Sequence, residues 1–255
     1  MNLHLKDKNF LITGSSRGIG KAIAEGFLKE RANVGLVART SATLKQTVES
    51  LTLKHESNLD YWKADLRDVH EVEHLAIKVS QQWKSLNGLV VNVGSGKSLP
   101  DPITDSKQWD FVWDTNFKTA LNTVRCFLPF IEKSKGSIIF ISSICGVESL
   151  GAPTDYSVAK SALISLSKNL ARKVGPNTRV NTVAPGNIYF EGGTWDEKIK
   201  SSKAKVHEML KTEVPLQRFG SPNEITDAVV FLSSERASFV TGATLVVDGG
   251  QTRSF

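Results

Sequence analysis

The chain has 255 residues, 40% hydrophobic and 23% charged, with a formal net charge of +6. That composition belongs to a globular domain with enough apolar side chain for one large core, and excludes a disordered or fibrous chain. No apolar run approaches the ~18 residues of a membrane span, the N-terminus has no separate apolar h-region, and acids and bases are interspersed rather than gathered into a nucleic-acid-binding stripe, so a cytoplasmic protein with no membrane or nucleic-acid partner is expected.

Short apolar runs alternate with helical patterns along the chain. NFLIT (9–13) reads as the first strand, followed by a glycine turn and the helical KAIAEGFLKE. NVGLVA (33–38) is a second strand and ATLKQTVESL a second helix. LDYWKA (59–64), GLVVNV (88–93), GSIIFIS (136–142), RVNTVAP (179–185) and TLVVDGG (244–250) continue the series. Strands this apolar, separated by helices, predict a parallel sheet covered on both faces. The expected fold is therefore a single-domain α/β Rossmann fold over residues 1–255, with a doubly wound sheet of about seven strands. The segment 187–212 breaks the rhythm: Gly192 and Gly193 precede a stretch with lysines at 198, 200, 203, 205 and 211. Because it follows a strand end, it is a candidate substrate lid.

The first strand ends in TGSSRGIG, with glycines at 14, 18 and 20. Such a turn, opening a helix, lets backbone amides approach a pyrophosphate. A dinucleotide with a free ribose 2′-hydroxyl usually meets an acid about 20 residues after this turn. Here the chain from Arg31 to Val48 contains no acid, and the second strand ends in VARTS. Arg39, followed by Thr40, is placed to meet a 2′-phosphate, with Arg17 approaching from the other side; guanidinium groups suit phosphate through charge-assisted bonds. The expected cofactor is NADP(H) rather than NAD(H).

Tyr156 and Lys160 stand four apart in DYSVAK, within a helical pattern, so they share a face. A free phenol has a pKa of about 10, and a nearby ammonium favours its ionised form. Ser143, thirteen residues before Tyr156, lies in IIFISSICG at the end of a predicted strand. Strand carboxyl ends are where open α/β sheets place ligands. Elsewhere, His70 and His74 share a helix turn without a third ligand, so no metal site is expected. Cys126 and Cys145 lack zinc spacing and read as two reduced thiols.

With TGSSRGIG, Asp65, Asn92–Gly94, Asn116, Ser143, Tyr156, Lys160, Pro185–Gly186 and VTGATLVVDGG (240–250) in this order and spacing, the chain resembles the short-chain dehydrogenases/reductases along essentially its whole length. It is similar to the 3-oxoacyl-[acyl-carrier-protein] reductase-like members. The resemblance implies that Tyr156 exchanges a proton with the substrate oxygen and that Lys160 tunes Tyr156 and holds the nicotinamide ribose. It implies that Ser143 polarises the carbonyl and that Asn116 holds a water linking the lysine to solvent. It places Gly14, Ser16, Arg17, Gly18, Ile19, Gly20, Arg39, Thr40, Asp65, Leu66, Asn92, Gly94, Tyr156, Lys160, Pro185, Gly186 and Ile188 around the cofactor, and it implies a homotetramer (or homodimer) using helices around 114–134 and 154–174. Two departures stand out. The family's Asn-Asn-Ala-Gly is VNVG here (91–94), and Phe190 occupies the position of a threonine that binds the nicotinamide carboxamide.

Lys97, Cys145, Val147, Leu150, Tyr189, Phe190 and Trp195 are the candidate substrate contacts. They suggest an apolar or aromatic pocket with a positive edge for a small-molecule carbonyl or alcohol, with a carrier-bound 3-oxoacyl thioester as one candidate. The alternatives are a sugar, steroid or other secondary-alcohol dehydrogenase and, in another class, a non-catalytic NADP(H) sensor or scaffold.

Overall fold

The computed structural model describes residues 2–55 and 58–254. Seven strands form one parallel sheet: β1 (Asn9–Thr13), β2 (Asn33–Ala38), β3 (Leu59–Lys63), β4 (Gly88–Val91), β5 (Ser137–Ile141), β6 (Arg179–Pro185) and β7 (Thr244–Val247). Their order is β3-β2-β1-β4-β5-β6-β7. The chain winds outward from β1 to β3, then returns to β4 on the other side of β1. Ile12 of β1 thus has Leu36 on one side and Val90 on the other. The carboxyl ends of β1 and β4 border the point where the winding reverses, where such sheets hold ligands.

Side-chain alternation along each strand divides the core in two. Phe10 and Ile12 join Leu36 and Val183 beneath α1 (Gly18–Lys29), α2 (Ser41–Thr52) and α8 (Pro222–Ser233), through residues such as Phe27, Leu44 and Val229. Leu11 joins Leu89, Ile138 and Phe140 on the opposite face, beneath α3 (Val69–Gln82), α5 (Thr119–Lys133) and α6 (Thr154–Val174). Both faces are covered, so the strands carry apolar residues at consecutive positions.

Local signals start several helices. The Asp68 and Asp105 carboxylates accept from backbone amides to cap α3 and α4 (Ser106–Trp113), and Ser221 and Glu224 form a capping box with Pro222 in the first turn of α8. Between α4 and α5 the helix opens into one π turn, Asp114–Lys118. The segment after β6 contains α7 (Thr194–Glu213), which departs from helical geometry at Ser202. Val206 and Leu210 of α7 are buried and its lysines are exposed. Among the described residues, no helix is long and apolar enough to cross a membrane, and no group of three or more His, Cys, Asp or Glu could hold a metal ion.

Candidate active site

A cavity of about 1220 Å³ opens at the carboxyl ends of the strands. Its floor is the turn from β1 to α1, where Gly14 and Gly18 have φ of 64° and 55°. No side chain caps the N-terminus of α1, so its first amides remain available to an anion. Asn92 braces the turn: its amide nitrogen donates to the carbonyls of Thr13 and Gly14, both at 3.1 Å, while its backbone N–H donates to Thr13 Oγ1 at 2.9 Å. The VNVG variant therefore keeps the asparagine that holds the turn.

Of the residues expected around the cofactor, all but Gly18 line this cavity. Gly18 is covered by Phe190: a Cβ on Gly18 would lie 2.7 Å from the Phe190 ring. The Arg17 guanidinium donates to the Gly192 carbonyl at 3.3 Å, so the start of the 187–212 segment rests on the glycine turn. Arg39 and Thr40 line the cavity at the end of β2. Asp65 accepts a two-pronged pair from Arg67, Nε to Oδ1 at 3.0 Å and Nη2 to Oδ2 at 2.5 Å. Arg67, and more weakly Arg39, hold its carboxyl below the usual range. Arg67 also lines the cavity; in the sequence it showed only as the arginine of KADLRD.

Across the cavity, α6 is stitched to the end of β5. Ser142 Oγ donates to the Lys160 carbonyl at 2.8 Å, Lys160 Nζ donates to the Ile141 carbonyl at 3.1 Å, and Ser161 Oγ donates to the Gly146 carbonyl at 2.7 Å. These bonds bring Ser143, Tyr156 and Lys160 to one wall. Ser143 Oγ accepts from the Cys145 N–H at 3.2 Å, which starts the short turn after β5. Asn116 stands behind the wall, 1% exposed. Within the π turn its Oδ1 accepts from the Ser95 N–H and its Nδ2 donates to the Ser95 and Val112 carbonyls. Gly94 separates it from Lys160: a Cβ there would lie 2.8 Å from Lys160 Nζ and 2.9 Å from Asn116 Oδ1. Only glycine leaves those two groups their places.

The electrostatics differ from the simple expectation for the Tyr156–Lys160 pair. Burial pushes the Tyr156 phenol up to about 12, with the Ser143 hydroxyl acting the other way. Burial also pulls Lys160 down to about 8. The ammonium stands 5.8 Å from the ring centroid. Burial of each group, rather than an interaction between them, sets both directions in the protein alone.

The substrate expectations divide. Lys97, Cys145, Leu150, Phe190 and Trp195 line the cavity; Val147 and Tyr189 do not. Val147 lies beyond the short turn and is 38% exposed. The Tyr189 ring packs on Phe219, and its hydroxyl donates to Asp196 at 3.3 Å. Asp196 also accepts from the Gly192 N–H and from Lys200, and this cluster turns Tyr189 away from the cavity. Trp195 packs on Phe219 as well. Beside these aromatic and apolar residues the wall also contains Glu148, Glu213, Gln251 and Arg253. Two of these come from the C-terminal tail, which no sequence motif marked. Burial pushes the Cys145 thiol up, so it carries no activated thiolate.

Residues 14–252 match a family profile described as Enoyl-(Acyl carrier protein) reductase. A 3-oxoacyl-[acyl-carrier-protein] reductase of Thermotoga maritima is 32% identical over 97% of this chain and 99% of its own length. An uncharacterized oxidoreductase of Bacillus subtilis is 35% identical over the whole of both chains. Among solved structures, L-sorbose reductase from Gluconobacter frateurii, complexed with NADPH and L-sorbose, superposes with a TM-score of 0.93 at 33% identity over the whole of both chains.

Proposed function

Because the chain belongs to the short-chain dehydrogenase/reductase family, we propose that it is an NADPH-dependent oxidoreductase that interconverts a carbonyl and a secondary alcohol, with Tyr156 as general acid and base. The observation that carries this reading is the shared cavity: Ser143, Tyr156 and Lys160 face the same space as the glycine turn and Arg39. A sensor or scaffold would need the turn but not this proton-bearing set.

The residues present fit NADP(H). The uncapped start of α1 and the positive-φ glycines offer amides to a pyrophosphate, Arg39 offers a guanidinium to a 2′-phosphate, and Asp65 and Leu66 would border the adenine. Lys160 would hold the ribose hydroxyls, and Asn116 would connect Lys160 to solvent through water. When bound, NADPH supplies the hydride. Tyr156, protonated throughout the neutral range, gives its phenolic proton to the substrate oxygen while Ser143 donates a hydrogen bond to that oxygen. Lys160, positively charged below about pH 8, stabilises the resulting phenolate. Segment 187–212 serves as the lid over this site.

The named relatives divide between carrier-bound 3-oxoacyl groups and a free ketose, so the reading includes a small-molecule ketone as well as a 3-oxoacyl thioester. A homotetramer or homodimer is the proposed assembly, supported by the exposed apolar Val158 on α6. Tyr156→Phe tests the chemistry. NADPH oxidation over a panel of ketones, aldehydes and 3-oxoacyl thioesters should fall by about 10²–10⁴-fold while NADPH still quenches protein fluorescence. Undiminished turnover by this variant would overturn the reading.

A further inference from the structure

The carboxylate of Asp65 is saturated by one neighbour. Its Oδ1 accepts from the Arg67 backbone N–H at 3.1 Å and from Arg67 Nε at 3.0 Å, and its Oδ2 accepts from Nη2 at 2.5 Å and from Nε at 3.2 Å. A carboxylate offers about four lone-pair sites, so Arg67 takes up its accepting capacity. The backbone around the pair is held as well. The Asp65 N–H donates to Glu71 Oε2 at 2.8 Å, and Asn122 Nδ2 donates to the Leu66 and Arg67 carbonyls at 3.1 and 3.2 Å. The guanidinium plane is therefore fixed. Its Nη1 has no hydrogen-bond partner among the described residues. The Arg67 side chain is 33% exposed and lines the cavity.

The strand register locates this plane. Ala38 and Lys63 are paired at the ends of β2 and β3, and the Ala64 N–H donates to the Ala38 carbonyl at 3.1 Å. Arg39 follows Ala38 and Asp65 follows Ala64, so the two stand at adjoining strand ends; β1 and β4 separate them from β5, which leads to Ser143. Arg39 forms no ion pair among the described residues, whereas the charge of Arg67 is matched by Asp65. The unmatched cation suits the 2′-phosphate. A neutralised, planar and partly exposed guanidinium instead suits the face of the base attached to the same ribose, because such planes stack on aromatic rings. Resting on the NADP(H) reading above, we infer that Arg67 is a cofactor-binding residue that touches the adenine ring, and that Asp65 is a positioning residue that acts through Arg67 rather than accepting from the base itself.

The test measures Kd by titration calorimetry for NADPH, NADH and adenosine 2′,5′-bisphosphate, in wild type, Arg67→Ala, Arg67→Lys, Asp65→Ala and the Asp65→Ala/Arg67→Ala double variant, with thermal melting checked for each. All three ligands carry the adenine, and only NADH lacks the 2′-phosphate. Arg67→Ala should weaken all three by the same factor, about 3- to 30-fold. Arg67→Lys, which keeps the charge but not the plane, should not restore the affinity. Asp65→Ala should weaken binding, yet the double variant should bind no more weakly than Arg67→Ala alone, because the carboxylate works only through the guanidinium. An unchanged Kd in Arg67→Ala, a loss confined to the two ligands with the 2′-phosphate, full rescue by lysine, or additive effects at the two positions each overturn the inference while wild-type binding upholds the cofactor reading. Wild type that binds none of the three overturns the NADP(H) reading and the inference with it.

Discussion

Ser98 Oγ lies 2.7 and 2.6 Å from the two carboxylate oxygens of Asp155. Thr104 Oγ1 donates to the same carboxylate at 3.2 Å, and the Tyr156 N–H donates to it at 2.7 Å. Asp155 is 2% exposed. One buried carboxylate therefore ties the 95–104 loop, which follows β4, to the residue beside the proposed proton donor. Asp155→Ala leaves these donors without an acceptor and should destabilise the protein by about 1–3 kcal/mol. It should also raise KM for the carbonyl more than it lowers kcat, because the loop borders the substrate end. Chemical denaturation and steady-state kinetics check this; an unchanged KM would show that the tie does not reach the site.

Phe190 and Gly18 should be energetically coupled. Gly18→Ala adds a methyl group that meets the Phe190 ring at a residue with φ of 55°, and it should cost about 1–3 kcal/mol. In a Phe190→Ala background the collision disappears and only the backbone strain remains, so the cost should fall. A double-mutant cycle in urea measures the difference; strict additivity would contradict the observed packing.

Lys160 should give the reductive reaction its basic limb. Its pKa of about 8 lies well below the ordinary 10.5, whereas Tyr156 at about 12 stays protonated over the accessible range. kcat/KM for reduction should be level through neutral pH and fall as pH rises through about 8, when the lysine loses its charge. A profile that is flat to pH 9.5 would contradict this.

The same lysine should weaken the fold. Its folded pKa is depressed, so at neutral pH folding holds an ammonium in a place that disfavours it. That cost is fully present below pH 8 and is relieved as pH rises from about 8 toward the unfolded value. Lys160→Met removes the buried charge, at the loss of the bond to the Ile141 carbonyl. A gain of about 1–3 kcal/mol is expected at pH 7, shrinking toward pH 10, with activity lost. Thermal melts across that range would reveal it.

Arg39 should decide between the two nicotinamide cofactors. Arg39→Asp removes the phosphate's charge partner and puts repulsion in its place. The NADPH-to-NADH ratio of kcat/KM should fall by about 10- to 100-fold, as expected for a lost charge-assisted bond. Equal use of both cofactors by wild type would remove the basis for this prediction.

The alternation of apolar strands with helical patterns was enough to place all seven strands within a few residues. Each strand, covered on both faces, must be apolar at consecutive positions, and that constraint is local. Gly14, Ser143, Tyr156 and Lys160 stand at the carboxyl ends of strands or on one helical turn, where spacing along the chain becomes proximity in space, whereas Asn92 and Gly94 were marked only by the resemblance to the family. The substrate wall was not legible. Asp155 is an ordinary helix-start acid until Ser98 and Thr104, more than fifty residues away, reach it. Phe190 lines the cavity, and only the fold shows that its ring also covers Gly18. Gln251 and Arg253 carry no motif, and only the folded tail brings them beside Glu148, about a hundred residues earlier. Backbone periodicity and short-range spacing determined the sheet and the shared face of Tyr156 and Lys160; long-range packing, which pairs residues by shape and hydrogen bonding rather than by spacing, decided what lines the rest of the cavity.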